Sequence, residues 1–309
     1  MSKWISVLAA GLLSQASVAD AQQPNRHFDR YFNHYADSFV TKAFVKYGGP
    51  EGKLCDPDLR LDQVRELIRN AWEISGGMHQ IVYLVGAMDR GLDSGYPTMT
   101  NANAACRSSL SDDPLTSVRL AMREAREKYN CDLSFHFNTS DAHTDSLDWQ
   151  NCLDRDVLAR DAKGNVKTAG HWRQISHAKD WKSGFAKERI DAVLKAIPEL
   201  RESKTIHYDA FFARASEKDG ITVEDDKLAI KAIADYWHAQ GVDVTTEFIT
   251  SADMIGWFPM FWHNNMDECQ RVKYPTDLVC GGDDEWNGRR KNDYFHCTPI
   301  CAAVPAAGC

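Results

Sequence analysis

Thr205-Ile206-His207-Tyr208-Asp209 and, thirty-odd positions on, Asp243-Val244-Thr245-Thr246-Glu247 are two short apolar runs, each finishing on one carboxylate. Between them, Glu224 to Gln240 carries apolar residues at helical spacing, with Leu228, Ile230, Ile233, Tyr236 and Trp237 as the expected buried face and Gly241 as the stop. Strand, helix and strand make a βαβ unit, which puts both acids at the carboxyl ends of parallel strands. In a parallel barrel that edge carries the chemistry, and two carboxylates across one gap are what glycosidic cleavage needs. The competing explanation is structural: strand-end acids are more often helix caps or loop salt bridges.

Working outward, the same pattern recurs. Gln80-Ile81-Val82-Tyr83-Leu84-Val85-Gly86 is an unbroken apolar run, as expected of a strand buried on both faces, and it opens into the polar loop Asp89 to Cys106. Cys131 to Asn138, CDLSFHFN, reads as another strand followed by a polar loop. Helices are expected from Pro57 to Trp72, capped by Asp56, with Leu61, Val64, Leu67 and Ile68 in its apolar stripe, from Pro114 to Asn130 behind Asp112 and Asp113, and from Phe185 to Ile197. Alternating βα units give a parallel sheet. Four strands are visible by pattern, and both a barrel and a doubly wound sheet remain open at this point. No glycine-rich phosphate loop follows any strand, which disfavours nucleotide binding.

The chain has 309 residues, 43% hydrophobic and 26% charged, with net charge −8. The acidic balance argues against nucleic acid and anionic membrane as main partners. Lys3, the apolar run Trp4 to Leu13 and the Ala19-Asp20-Ala21 site have the form of a secretory signal. The expectation is a signal peptide over 1–21, a single domain over 22–309, and a secreted, extracellular protein without a membrane span. Oligomeric state is not legible. Nine cysteines (Cys55, Cys106, Cys131, Cys152, Cys269, Cys280, Cys297, Cys301 and Cys309) fit an oxidising compartment, with most in disulfides, five crowded into the tail and an odd one left over. No pattern of metal ligands stands out, so neither a metal nor another cofactor is expected.

The candidate site residues follow from these positions. Asp209 is either a loop cap or a nucleophile at a barrel rim. Glu247 is either a paired acid or a general acid whose pKa the following aromatic residues raise. Asp93 sits in a glycine-rich loop where a turn former is the commoner explanation. Trp172, in a polar loop, suits stacking on a sugar face. His136 alternates with Phe135 and Phe137, as a core histidine does, and the Asn138-Thr139-Ser140 sequon lies on the presumed functional rim. Glu224-Asp225-Asp226 reads as a charge cluster at a helix start.

Taken in order, QIVYLVGAMDRGLDSGYP, KYNCDLSFHFNTSDAH, TIHYDAFF and GVDVTTEF resemble the catalytic barrel of the endo-α-N-acetylgalactosaminidases, glycoside hydrolase family 101, over Gln80 to His263. The resemblance implies a TIM-type (β/α)8 barrel, here irregular and followed by a disulfide-rich tail. It also implies retaining hydrolysis of Galβ1-3GalNAc linked α to Ser or Thr. Asp209 then matches the nucleophile of the H-x-D strand, and Glu247 the general acid/base of the T-T-E strand. Asp93 matches the substrate-binding Asp of the G-H-D loop, and Trp172 a sugar-stacking tryptophan. His136 and Asn138 fall on the H-I-N-type strand end as further substrate contacts. Leu92 stands where the family has His, and Phe248 where it has Trp, so the sugar is less defined than the reaction. The implied partner is an O-glycan or another GalNAc-containing carbohydrate. A barrel that binds such glycans without cleaving them is the alternative.

Overall fold

Lys42 and Glu247 lie four strands apart in one parallel sheet, yet their charged ends are 3.3 Å apart. In a flat sheet four steps would separate them by roughly 19 Å, at about 4.8 Å per strand. The sheet therefore curls into a half-barrel, and these side chains meet in its lumen.

The computed structural model describes residues 31–46, 58–92, 94–251, 254 and 256–264. The elements in order are β1 (Phe39–Phe44), α1 (Leu61–Ile74), β2 (Gln80–Val85), α2 (Pro114–Tyr129), β3 (Cys131–Phe137), β4 (Asp141–Ala142), α3 (Trp149–Asp154), β5 (Thr168–Ala169), β6 (Trp172–Gln174), α4 (His177–Ser183), α5 (Phe185–Ala196), α6 (Leu200–Ser203), β7 (Thr205–Tyr208), α7 (Val223–Ala239), β8 (Asp243–Ile249) and β9 (Phe261–Asn264). The main sheet runs β1-β2-β3-β7-β8-β9, parallel throughout. A small antiparallel sheet, β4-β6-β5, grows from the loop after β3.

Strand alternation sorts the core into two environments. On β3, Leu133, Phe135 and Phe137 point outward with Ile206 and Tyr208 of β7 and Val244 of β8. They pack against Ile68 of α1, Val118 and Met122 of α2, Val193 of α5 and Ile233 and Trp237 of α7. The alternate residues face the lumen and are mostly polar. Tyr83 Oη and Tyr35 Oη both meet Thr205 Oγ1, at 2.7 and 2.8 Å, and His207 Nδ1 lies 2.9 Å from Thr245 Oγ1. At the amino end the Asp243 carboxylate accepts the backbone N–H groups of Phe32 and Asn33, which holds the segment before β1 across the lumen floor.

Local chemistry accounts for the helix ends. Asp113 caps α2 by accepting Thr116 N–H at 2.8 Å, with Pro114 first in the helix and Asn130 left-handed after it. Thr222 and Asp225 form a reciprocal capping box at the start of α7. Gly86, at φ 73°, leaves β2 where any side chain would strike the Lys46 carbonyl.

Several expectations change. The described residues contain six parallel strands forming a half-barrel; the complete (β/α)8 barrel is not shown among them. β1 and β9 had no clear strand pattern, and His171–Ser183 supplies both β6 and α4. Leu228 is 56% exposed and Leu67 is 40% exposed, so neither joins its helix's buried stripe. At 100° per residue Leu67 sits at the margin of the arc centred on Val64 and Ile68 in α1, whereas Leu228 falls on the face opposite Ile230, Ile233 and Trp237 in α7. Cys106, Cys131 and Cys152 are free, buried thiols rather than disulfides, each placed in the apolar core by its own element. α1 begins at Leu61 with Arg60 as its N-cap, so the expected start at Pro57 behind Asp56 is displaced. The signal segment, Cys55 and the cysteine-rich tail from Cys269 lie outside the described residues.

Candidate active site

The carboxyl edge of the curled sheet gathers four of the side chains that chemistry would use. Asp209 follows the last residue of β7, and its backbone N–H still bonds to the Phe137 carbonyl at 2.7 Å, which holds the turn against β3. Glu247 is the fifth residue of β8, on its lumen face. His136 is the sixth residue of β3, and Lys42 the fourth of β1. Register explains the convergence: His136 pairs with His207, and His207 with Thr245, so Asp209 and Glu247 come two residues further along the same face.

The contacts are close. His136 Nε2 is 3.3 Å from Asp209 Oδ2, without the alignment of a hydrogen bond. Neither ring nitrogen of His136 completes a hydrogen bond among the described residues, although the ring is buried. Burial, reinforced by the Lys42 charge and opposed by Glu247, pushes the His136 pKa well below the usual range, so its imidazole is neutral. Glu247 moves the other way, to about 7: burial is the main cause, followed by the Asp209 carboxylate beside it. Lys42 pulls it back down without cancelling this. The result is a carboxyl group poised near neutrality beside a second carboxylate, an arrangement able to hold and release a proton at working pH.

A brace lies behind Asp209. Arg214, 6% exposed, bonds through its guanidinium to the Ser140 carbonyl and to Asp141 Oδ1, the latter at 3.1 Å. Its backbone N–H goes to Asp226 Oδ2 at 2.9 Å. Burial lowers the Arg214 pKa while Asp141, Asp226 and Asp209 raise it. Asp226 also accepts Ser176 Oγ and Ala178 N, and lies 3.0 Å from His177 Nδ1, whose Nε2 is 3.0 Å from Ser140 Oγ. Ser140, His177 and Asp226 thus have the connectivity of a hydrolytic triad, but all three are fully buried. No substrate can reach that serine, and the trio fastens α4, α7 and the β3 loop together. Asp226 stands in the first turn of α7, as the charge cluster at a helix start predicts, and is also the hub of this brace. Burial opposes its ionisation, but His177 and the two backbone donors more than offset that and hold its pKa below the usual range.

Trp172 lies in β6, half-buried, its ring 4.1 Å from His171, which in turn stands 5.6 Å from His143. His143 N–H bonds to the Tyr96 carbonyl at 3.0 Å, so this aromatic corner joins the loops after β2 and β3. The Trp172 indole N–H has no partner among the described residues. Asn138 is buried with its amide spent locally, accepting Ser140 and Asp141 N–H and donating to Asp141 Oδ2. Asp93 lies outside the described residues; its neighbour Leu92 packs on Val85 and Tyr96. Asp209, Glu247 and His136 are therefore brought together, Trp172 stands in the aromatic corner, and the Asn138 amide is engaged within its own turn. Sequence reasoning missed Lys42 and Arg214. Lys42 sits in FVTKAF, where alternation is the only signal. Arg214 lies in an irregular loop and carries none. No group of metal-binding side chains forms among the described residues.

No protein-family model and no curated protein matches the chain. Solved structures do. An α-N-acetylgalactosaminidase from Bifidobacterium bifidum, as a quadruple mutant, superposes with a TM-score of 0.59 at 12% identity over 76% of this chain and 38% of its own. The same enzyme in a Gal-NHAc-DNJ complex gives 0.58 at 13% identity, over 74% and 36%. A GH36 α-galactosidase from Geobacillus stearothermophilus, bound to raffinose, gives 0.51 at 12% identity, over 76% and 32%. The chain spans less than two-fifths of the length of each. The fold is the β/α-barrel fold of glycoside hydrolases, here as a half-barrel; membership of family 101 is not shown at these identities.

Proposed function

We propose that this chain is a retaining glycoside hydrolase acting on α-linked galactose-type sugars, with an α-linked GalNAc residue as the preferred group. The observation that carries it is the pair gathered at the rim: Asp209, 3.3 Å from His136, and Glu247, 3.3 Å from Lys42, with the Glu247 pKa raised to about 7 by burial and by Asp209 beside it. An inverting pair leaves about 6.5–9.5 Å for a water between its carboxyl groups, whereas a retaining pair is about 5–5.5 Å apart. Asp209 lies near enough for its charge to raise the Glu247 pKa, which supports the shorter class.

In this reading Asp209 attacks the anomeric carbon while Glu247 protonates the departing oxygen, and the glycosidic C–O bond breaks as the ester to Asp209 forms. Water then attacks the same carbon, gives its proton to Glu247 and releases Asp209 as carboxylate. Neutral His136 stands where it can hydrogen-bond a sugar hydroxyl, and Trp172 offers a ring face to a sugar or to the leaving group. The sugar class is supported by the motif resemblance and by the structural similarity to an α-N-acetylgalactosaminidase and an α-galactosidase. Release of Galβ1-3GalNAc from Ser or Thr is the finer form of the proposal, and secretion, resting on the segment Lys3 to Ala21, belongs to it.

The test is hydrolysis of three aryl glycosides: α-GalNAc, α-galactoside and Galβ1-3GalNAc-α. The first-formed sugar should be the α anomer by NMR. Asp209→Ala should remove turnover of all three. Glu247→Ala should spare the aryl substrates' first step, and azide should speed release. Binding without turnover would make the chain a glycan-binding barrel, and a first-formed β anomer would end the retaining assignment.

A further inference from the structure

Lys42 is placed where a surface lysine has no reason to be. Its strand, β1, is at the opposite side of the sheet from β8, and only the curl of the half-barrel carries Nζ to 3.3 Å from Glu247 Oε1. Both side chains are largely withdrawn from solvent, 16% and 19% exposed, so the pair is not a solvated rim salt bridge of the kind worth little. Among the described residues three charged or titratable groups act on Glu247: Asp209 from the end of β7, His136 from β3 and Lys42 from β1. His136 is neutral and Asp209 opposes ionisation, so Lys42 is the cation that favours a Glu247 carboxylate.

We propose that Lys42 is the positioning residue that converts Glu247 from acid to base between the two halves of the reaction, an inference that rests on the glycosidase reading of the rim pair. Before attack, the Asp209 charge and Lys42 oppose each other, and Glu247 keeps its proton. When Asp209 becomes the glycosyl ester its charge disappears, while Lys42 remains. The proton of Glu247 has left with the departing oxygen, and the ammonium group holds the resulting carboxylate, ready to take a proton from the incoming water. Breakdown of the ester restores the Asp209 charge and with it the protonated Glu247. The sequence reading had no place for Lys42, because nothing in FVTKAF connects it to an acid 205 positions away.

The test begins without substrate. With ¹³C-labelled glutamate side chains, the Glu247 carboxyl is identified by its absence in Glu247→Gln and titrated by NMR. An opposite charge within about 4–6 Å lowers a carboxyl pKa by roughly 1–3 units, so Lys42→Met should raise the Glu247 midpoint by about one unit or more. Lys42→Arg should keep it near the parent value. On an aryl glycoside, Lys42→Met should move the alkaline limb of kcat/KM upward, while kcat and KM fall together as the glycosyl-enzyme accumulates. An unchanged or lowered midpoint overturns the proposal, as does a shifted midpoint with no accumulation. Should Lys42→Met not fold, Lys42→Gln is read the same way. Because the titration needs no turnover, a shift in an enzyme unable to cleave any glycoside would remove the glycosidase reading while leaving the Lys42–Glu247 coupling in place; a loss of activity confined to Asp209→Ala and Glu247→Ala with no shift would do the reverse.

Discussion

At the scale of single residues, the site is decided by how two ordinary side chains are desolvated. An exposed glutamate titrates near 4.3, an exposed histidine near 6.5, so in water the histidine would be the proton carrier. Burial reverses this: it makes His136 neutral and brings Glu247 to about 7. The sign of the pH dependence follows. Glu247 is competent as an acid only while protonated, so kcat/KM should hold below pH 7 and fall with a midpoint near 7. That fall should vanish in Glu247→Gln, whose residual rate on poor leaving groups should be lower by about 10²–10⁴-fold, the usual contribution of general acid catalysis. A pH–rate profile with an alkaline limb that survives Glu247→Gln would assign the titration to another group. The pair itself was legible in sequence, because an acid at the end of an apolar run is a strand-end acid wherever the run folds as a strand. The companions were not. Nothing local in Lys42 or Arg214 marks them, since their importance comes from residues distant in the chain.

At the scale of elements, helices declare themselves through caps and periodicity, and α2, α5 and α7 lie within a residue or two of expectation. What an apolar count gets wrong is which residues share the buried arc. Leu228 is expected on the buried face of α7 yet is 56% exposed, while Ile233, five residues on, is 1% exposed. The two should respond differently to truncation. Ile233→Ala should cost about 2–5 kcal/mol, as cavities in a packed core do. Leu228→Ala should stay within about 0.5 kcal/mol, as surface changes do. Denaturant midpoints measured at unchanged slope would decide it, and comparable losses at both positions would mean that α7 packs on a different face. β1 and β9 escaped notice because a strand at the end of a sheet needs no clean apolar alternation, its identity being conferred by the neighbour it pairs with.

At the scale of the whole molecule, the curl of the sheet does most of the work. It creates a lumen lined by Tyr83, Thr205, His207 and Thr245 rather than by the bulky branched residues usual in such barrels. It also sets the amino-terminal segment across the floor, where Asp243 accepts the N–H groups of Phe32 and Asn33. Asp243→Ala would strand those donors against a buried floor, at about 1–3 kcal/mol each for an unsatisfied group. Hydrogen exchange should accelerate at residues 32–35 first, and protection unchanged there would show that the segment is held by its aromatic packing instead. The sequence by itself determined the βα alternation, most helix boundaries and the two rim carboxylates, because each depends on spacing within a few residues. Tertiary structure alone decided that the sheet closes far enough to bring Lys42 onto Glu247, that Asp226 at its helix start also serves a buried brace, and that Cys106, Cys131 and Cys152 stay as thiols. Each of those depends on which elements pack together and at what curvature, and curvature is a sum over the whole sheet that no single stretch of chain encodes.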